Sequence, residues 1–214
     1  MRDQLRDAIT ELAPQGVRCG VLAIDAGHIV DLAPEELELI ATAGDRRTAE
    51  FATGRALLHQ LLGDTNPITR TAHGSPNWPK GVVGSLSHDR QHVLAVVGDA
   101  GQYRALGIDI ESEHESDEEL RASVVRSDDP LIDAAAAFVM KEAAYKAWSD
   151  CGGALIDHLA VHLCLDDNNF IAEMPTPKMK VRGGFTKACG SWIAVAAILT
   201  SLSPNDHDSL TPRF

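Results

Sequence analysis

The chain has no Cys-x-x-Cys pair. Its four cysteines, Cys19, Cys151, Cys164 and Cys189, are dispersed, which excludes a zinc ribbon or a redox dithiol of that spacing and predicts buried thiols in a reducing compartment. It also lacks an apolar run long enough to span a bilayer, and its first residues, MRDQLRDAITEL, carry charges where a secretion signal would carry an apolar core. The expectation is a soluble, cytoplasmic protein. A basic excess is missing too. The 19 Lys and Arg residues stand against 31 Asp and Glu, a formal net charge of −12, so bulk charge draws the chain neither to nucleic acid nor to an anionic membrane. A local basic pocket stays open. What is present is ordinary for a folded protein: 44% hydrophobic and 23% charged residues over 214 positions, enough to bury a core in one large domain or two small ones.

Apolar spacing predicts a helix through Leu5, Ile9 and Leu12, a strand over 17–24, a short helix opened by Pro34, and a longer helix over 45–62 ended by Gly63. A short strand is expected at 66–70, then the turn-rich loop HGSPNWPKG. Paired strands follow at 82–87 and 91–97, and 103–111 is expected to complete a small sheet with them. The acidic stretch 112–119 reads as a solvated loop. A second long helix starts at Asp129 or Pro130 and runs to Trp148, and four strands lie between 159 and 199. This order predicts an α+β fold of two similar halves, 1–104 and 105–202, with a frayed tail at 203–214.

Three clusters are candidates for chemistry. In Leu106-Gly-Ile-Asp-Ile-Glu111 the apolar residues alternate with Gly107, Asp109 and Glu111, so the two carboxylates share one strand face. Either that face is solvated, or a cation sits between the acids, and Mg²⁺ is the hard, oxygen-preferring ion that fits. Lys141, Glu142 and Lys146 lie on the second long helix, where Glu142 and Lys146 are i, i+4 and form either a surface ion pair or part of a site. Gly84-Ser-Leu-Ser87-His88 ends a strand in Ser-His; with Asp89 next, the three consecutive residues cannot form a hydrolase triad, because successive strand side chains point apart. Arg47 and Arg55 are about two helical turns apart and can face one side.

Taken together and in order, Gly54-Arg55, Gly84-Ser-Leu-Ser-His88, Gly107-Ile-Asp-x-Glu111 and Phe138-x-x-Lys-Glu-Ala-x-Tyr-Lys-Ala147 resemble the Sfp-type 4′-phosphopantetheinyl transferases. The Trp78-Pro-x-Gly81 segment and the Arg47–Arg55 helix resemble the branch associated with siderophore synthetases. The resemblance implies two pseudo-symmetric α+β halves with the active site in the cleft between them. It implies that the serine hydroxyl of an apo carrier protein attacks the β-phosphate of coenzyme A, releasing 3′,5′-ADP. Asp109, Glu111 and Glu142 would then hold Mg²⁺. Glu142, or water held by it or by a strand acid, would take the serine proton, and Lys146 would bind the diphosphate. His88, Arg47, Arg55 and Arg70 would meet the phosphates of the 3′-phosphoadenosine end, Lys141 would join the diphosphate side, and Ser87 would be among the coenzyme-binding residues.

Two positions depart from the family pattern: His59 stands where an arginine is usual, and Ser87 where a threonine is usual. An acyl, peptidyl or aryl carrier is the implied partner, a siderophore carrier first and a fatty-acid or polyketide carrier second. A chain of two halves can build its cleft internally, so a monomer is expected. The alternatives are a non-catalytic member that binds coenzyme A or a carrier, and a Mg²⁺-dependent phosphohydrolase or nuclease. The acidic charge and the helical lysines disfavour the last.

Overall fold

The computed structural model describes residues 1–71, 74–112 and 118–200. They form a mixed α+β fold with two antiparallel sheets. The first sheet has the order β1 (Arg18–Ala23), β3 (His92–Asp99), β2 (Val82–His88). The second has the order β4 (Tyr103–Ser112), β8 (Ser191–Leu199), β7 (Met179–Ala188), β6 (Asn169–Met174), β5 (His162–Asp166).

Each sheet carries one long helix. α3 (Asp45–Leu62) is stopped by Gly63, whose φ of 68° is the left-handed conformation that glycine adopts without penalty. Its Leu57 and Leu58 pack on Val93, Ala95 and Val97 of β3. α5 (Ala134–Ser149) starts at Asp133, whose carboxylate accepts the amides of Ala135 and Ala136. Its Met140, Ala143, Ala147 and Trp148 cover the second sheet. A third cluster lies between the sheets, where Leu106, Ile108 and Ile110 of β4 meet Leu5, Ile9 and Leu12 of α1 (Arg2–Leu12) with Leu94 and Val96 of β3. The apolar face of β4 therefore fills the inter-sheet core, and its Gly107-Asp109-Glu111 face turns the other way.

Gly107 decides how close α5 can come. A Cβ there would stand 1.8 Å from the Ala143 carbonyl oxygen, so helix and strand touch backbone to backbone.

Several expectations are corrected. β4 pairs with β8 and is the edge of the second sheet, so it does not complete the first; its partner is supplied almost ninety residues later, beyond reach of hairpin signals. At 66–70 there is one bridge, Arg70 to Pro76, instead of a strand, because Glu36 and Arg55 take the backbone groups that a ladder would use. Capping by Asp133 delays α5 past Asp129 and Pro130. The thiols are not uniformly buried: Cys164, on edge strand β5, and Cys189, in the β7–β8 turn, are exposed, while Cys19 and Cys151 are half-buried, and all four are free. Glu118 opens α4 (Glu118–Val124); the rest of the acidic stretch, 113–117, and the tail 203–214 lie outside the described residues.

Candidate active site

The two sheets meet edge to edge where β2 runs beside β4, and side chains bridge them. The Ser85 hydroxyl accepts the Ile108 amide at 3.2 Å, and the Ser87 hydroxyl donates to Asp109 Oδ1 at 2.7 Å. Lys146, reaching down from α5, donates to Asp109 Oδ1 at 2.7 Å, to the Ile108 carbonyl at 2.9 Å and to the Leu86 carbonyl at 3.3 Å. Asp109 is buried, and its Oδ2 has no hydrogen-bond partner among the described residues. Burial raises its pKa, with the Glu142 charge adding, against the ion pair to Lys146 and the Ser87 hydrogen bond.

On the groove side of this seam lies a cavity of about 1200 Å³, lined by Arg47, Arg55, Arg70, Ser87, His88 and Lys146 with other residues of α3, β2 and the end of α5. Arg55 and Arg70 both stack on the Phe51 ring, at 4.4 and 4.8 Å. Burial, with the charges of Arg70 and Arg47 adding and Glu36 opposing, brings Arg55 down to about 10. Burial and the Arg47 charge also lower Arg70. Three guanidinium groups thus crowd one end of the groove, which suits a polyanion. The β2 end is set by Gly84, where a Cβ would lie 2.7 Å from the Trp78 ring and 2.6 Å from the Val96 carbonyl.

Sequence patterning missed the support beneath these cations. Glu50, buried on α3, is 2.9 Å from Arg46, 3.4 Å from Arg47 and 3.6 Å from His88, and so ties α3 to the end of β2. Burial pushes the Glu50 carboxyl up, but Arg46, His88 and Arg47 outweigh it and hold the pKa below the ordinary value. Glu36 is fully buried, accepts the Ile68 amide at 2.9 Å and the Ala33 amide at 3.0 Å, and faces Arg55 at 3.6 Å and His59 at 3.3 Å. Arg55 in turn donates to the Ile68 and Thr69 carbonyls at 2.7 and 3.4 Å. Arg55 therefore fixes the backbone just before Arg70, and His59, the departure from the family pattern, lies beside the same buried carboxylate without hydrogen-bonding it.

Glu142 is paired with His158, Nε2 to Oε1 at 2.6 Å. Burial raises the Glu142 pKa, while the His158 hydrogen bond and the Lys146 and His158 charges more than offset it, so the net shift is downward. Lys141 is not with the other cations. It is fully buried, and its Nζ donates to Asp129 at 2.6 Å, the Val124 carbonyl at 2.8 Å and the His158 carbonyl at 3.2 Å. Among the described residues, one group of three acid or histidine ligand atoms closes to within 4.8 Å, and it is Asp128, Asp129 and His162 rather than Asp109, Glu111 and Glu142. That group is already neutralised: Arg126 holds both oxygens of Asp128, and Lys141 holds Asp129. Of the three expected ligands, Asp109 on β4 bonds Lys146 and Glu142 on α5 bonds His158.

The sequence is similar to proteins of one kind. The profile of the 4′-phosphopantetheinyl transferase N-terminal domain matches residues 35–98. The 4′-phosphopantetheinyl transferase Svp of Streptomyces mobaraensis is 31% identical over 191 residues, covering 78% of each chain. The chain belongs to the 4′-phosphopantetheinyl transferases. It is thereby a transferase enzyme. PptT of Mycobacterium tuberculosis is 37% identical over 129 residues, 54% of this chain and 57% of that one. Enterobactin synthase component D of Salmonella typhimurium is 35% identical over 127 residues, 52% of each chain. In this transferase the profile match spans α2 (Pro34–Glu38), α3, the connection after it, β2 and most of β3, the segments that supply Glu36, Glu50, the three arginines and His88. Among the described residues no helix is long and apolar enough to cross a membrane.

Proposed function

We propose that this transferase moves the 4′-phosphopantetheine group of coenzyme A onto a serine hydroxyl of an apo carrier protein. The bond formed joins serine Oγ to the β-phosphorus, the bond broken links that phosphorus to the bridging oxygen, and 3′,5′-ADP leaves. The observation that carries this reading is the continuity of the groove with the seam. Arginines for a polyanion end at Ser87 and Lys146, and both of these bond Asp109.

Asp109 Oδ2, buried and without a partner among the described residues, on a strand with Glu111 two residues on, is a donor set that fits a hard cation. Asp109, Glu111 and Glu142 would hold Mg²⁺, whose charge would neutralise the diphosphate when bound. Arg47, Arg70 and His88 meet the 3′-phosphoadenosine phosphates, with Arg55 behind them and Ser87 and Lys146 toward the diphosphate. Glu142, or water it holds, accepts the serine proton. Lys141 is reassigned to holding the backbone beneath Glu142. Two pseudo-symmetric halves, 1–104 and 105–202, each a long helix on an antiparallel sheet, would frame the cleft in a cytoplasmic monomer. The likeness to enterobactin synthase component D supports a siderophore carrier as partner.

Intact-mass spectrometry of apo carrier proteins incubated with the enzyme and coenzyme A, with Mg²⁺ or with EDTA, tests this. The expected result is a gain of one phosphopantetheine that needs Mg²⁺ and falls at least about a hundredfold in rate in Glu142→Gln. Coenzyme A binding without a mass gain on any carrier would favour a non-catalytic role, and no binding would reject the proposal.

A further inference from the structure

We infer that His158 is a positioning residue for Glu142, fixing one carboxylate oxygen so that the other is left for the cation; this rests on the function proposed above. A glutamate on a helix has three torsions, and the attraction of Lys146 on the same helix does not by itself fix which oxygen it presents. The 2.6 Å contact between His158 Nε2 and Glu142 Oε1 supplies that selection.

His158 is itself held from several sides. Its carbonyl accepts Lys141 Nζ at 3.2 Å, and the same ammonium is locked to Asp129 at 2.6 Å with both side chains wholly buried. Asp157 accepts the Leu159 amide at 2.8 Å, which fixes the 3₁₀ turn 158–160 that carries the imidazole. The Phe138 ring lies 5.0 Å from the imidazole, centroid to centroid. The chain Asp129–Lys141–His158–Glu142 thus runs from a buried ion pair to the proposed site. It gives Lys141 a role: one residue before Glu142, it aims the glutamate through the histidine. An imidazole suits this link. A ring N–H aimed at one carboxylate oxygen fixes the orientation of the group and leaves the other oxygen for a cation.

The test uses Mn²⁺ as the paramagnetic probe for the metal site. Its affinity for the coenzyme A-bound enzyme, without carrier, is read by electron paramagnetic resonance in wild type, His158→Ala and His158→Gln. Steady-state kinetics and melting curves are run on the same proteins. Loss of an oriented hydrogen bond to a metal-binding carboxylate costs about 10- to 100-fold in metal affinity or activity. His158→Ala is expected to weaken Mn²⁺ about tenfold and to lower kcat about tenfold or more, with KM for coenzyme A within about twofold. His158→Gln, which keeps an N–H donor, is expected to recover part of both. The inference is overturned if Mn²⁺ affinity and kcat in His158→Ala stay within twofold of wild type or rise, or if Gln is no better than Ala. It is also overturned if KM for coenzyme A moves in step with kcat, the mark of general loosening. Absence of Mn²⁺ binding in wild type would overturn the proposed function along with it, which separates the two failures.

Discussion

Gly54 sits in the interior of α3 with no steric need to be glycine. A Cβ there would meet nothing nearer than Leu86 and Val93 at 3.9 Å, and the residue lines the groove. Glycine inside a helix costs about 0.5–1 kcal/mol relative to alanine. Gly54→Ala is therefore expected to raise stability by about that amount in urea or thermal unfolding, while weakening coenzyme A binding measured by calorimetry, because the methyl stands where the ligand would lie against the helix. Glu50 gives the opposite balance. Its folded pKa is lowered, so its contribution to stability is present above the ordinary glutamate value and is lost as pH falls through the lowered one. The stability gap between wild type and Glu50→Gln is expected to be full at neutral pH and to close across that acid window, read from urea midpoints at successive pH values. At this scale the sequence was informative where residues are chemically odd for their place, such as two acids on one strand face or a Ser-His strand end. It was silent on Glu36, Glu50 and His158. Their partners lie on other elements, and no spacing rule joins His158 to Glu142 across 16 residues and a change of element.

Helices proved easier to read than sheets. Gly63 ends α3 in the left-handed conformation, and Pro34 opens α2 with Glu36 reaching back to the Ala33 amide. Strand existence was legible from alternation except at 66–70, where a single bridge stands in place of the expected strand, and partnership was not legible, since β4 joins β8 across most of the second half of the chain. The contact of α5 with β4 depends on Gly107. A methyl there would drive into the Ala143 carbonyl at 1.8 Å, and backbone cannot step aside as a flexible side chain can. Gly107→Ala is expected to destabilise by roughly 3 kcal/mol or more and to abolish transfer even in the fraction that folds. Combined melting and intact-mass assays would show this, because Glu142 and Lys146 ride on the displaced helix.

For the whole molecule, a net charge of −12 coexists with a groove whose ligand end is cationic. Arg47 and Arg55 of α3, Arg70 of the connection after it and Lys146 of α5 achieve this by converging from three segments, so composition described the average and missed the local sign. Lys146 also does more than face the groove. Its ammonium has three protons, and all three are given away: to Leu86, to Ile108 and to Asp109. A phosphate oxygen drawn to Lys146 must take one of them, and the longest bond, 3.3 Å to the Leu86 carbonyl of β2, is the one that yields first. Substrate would then stand in for a link between the two sheets, replacing a contact within the protein by one that passes through the ligand. On the proposed function the first sheet would be fastened to the second through the bound diphosphate, and departure of its phosphates would hand that proton back to Leu86.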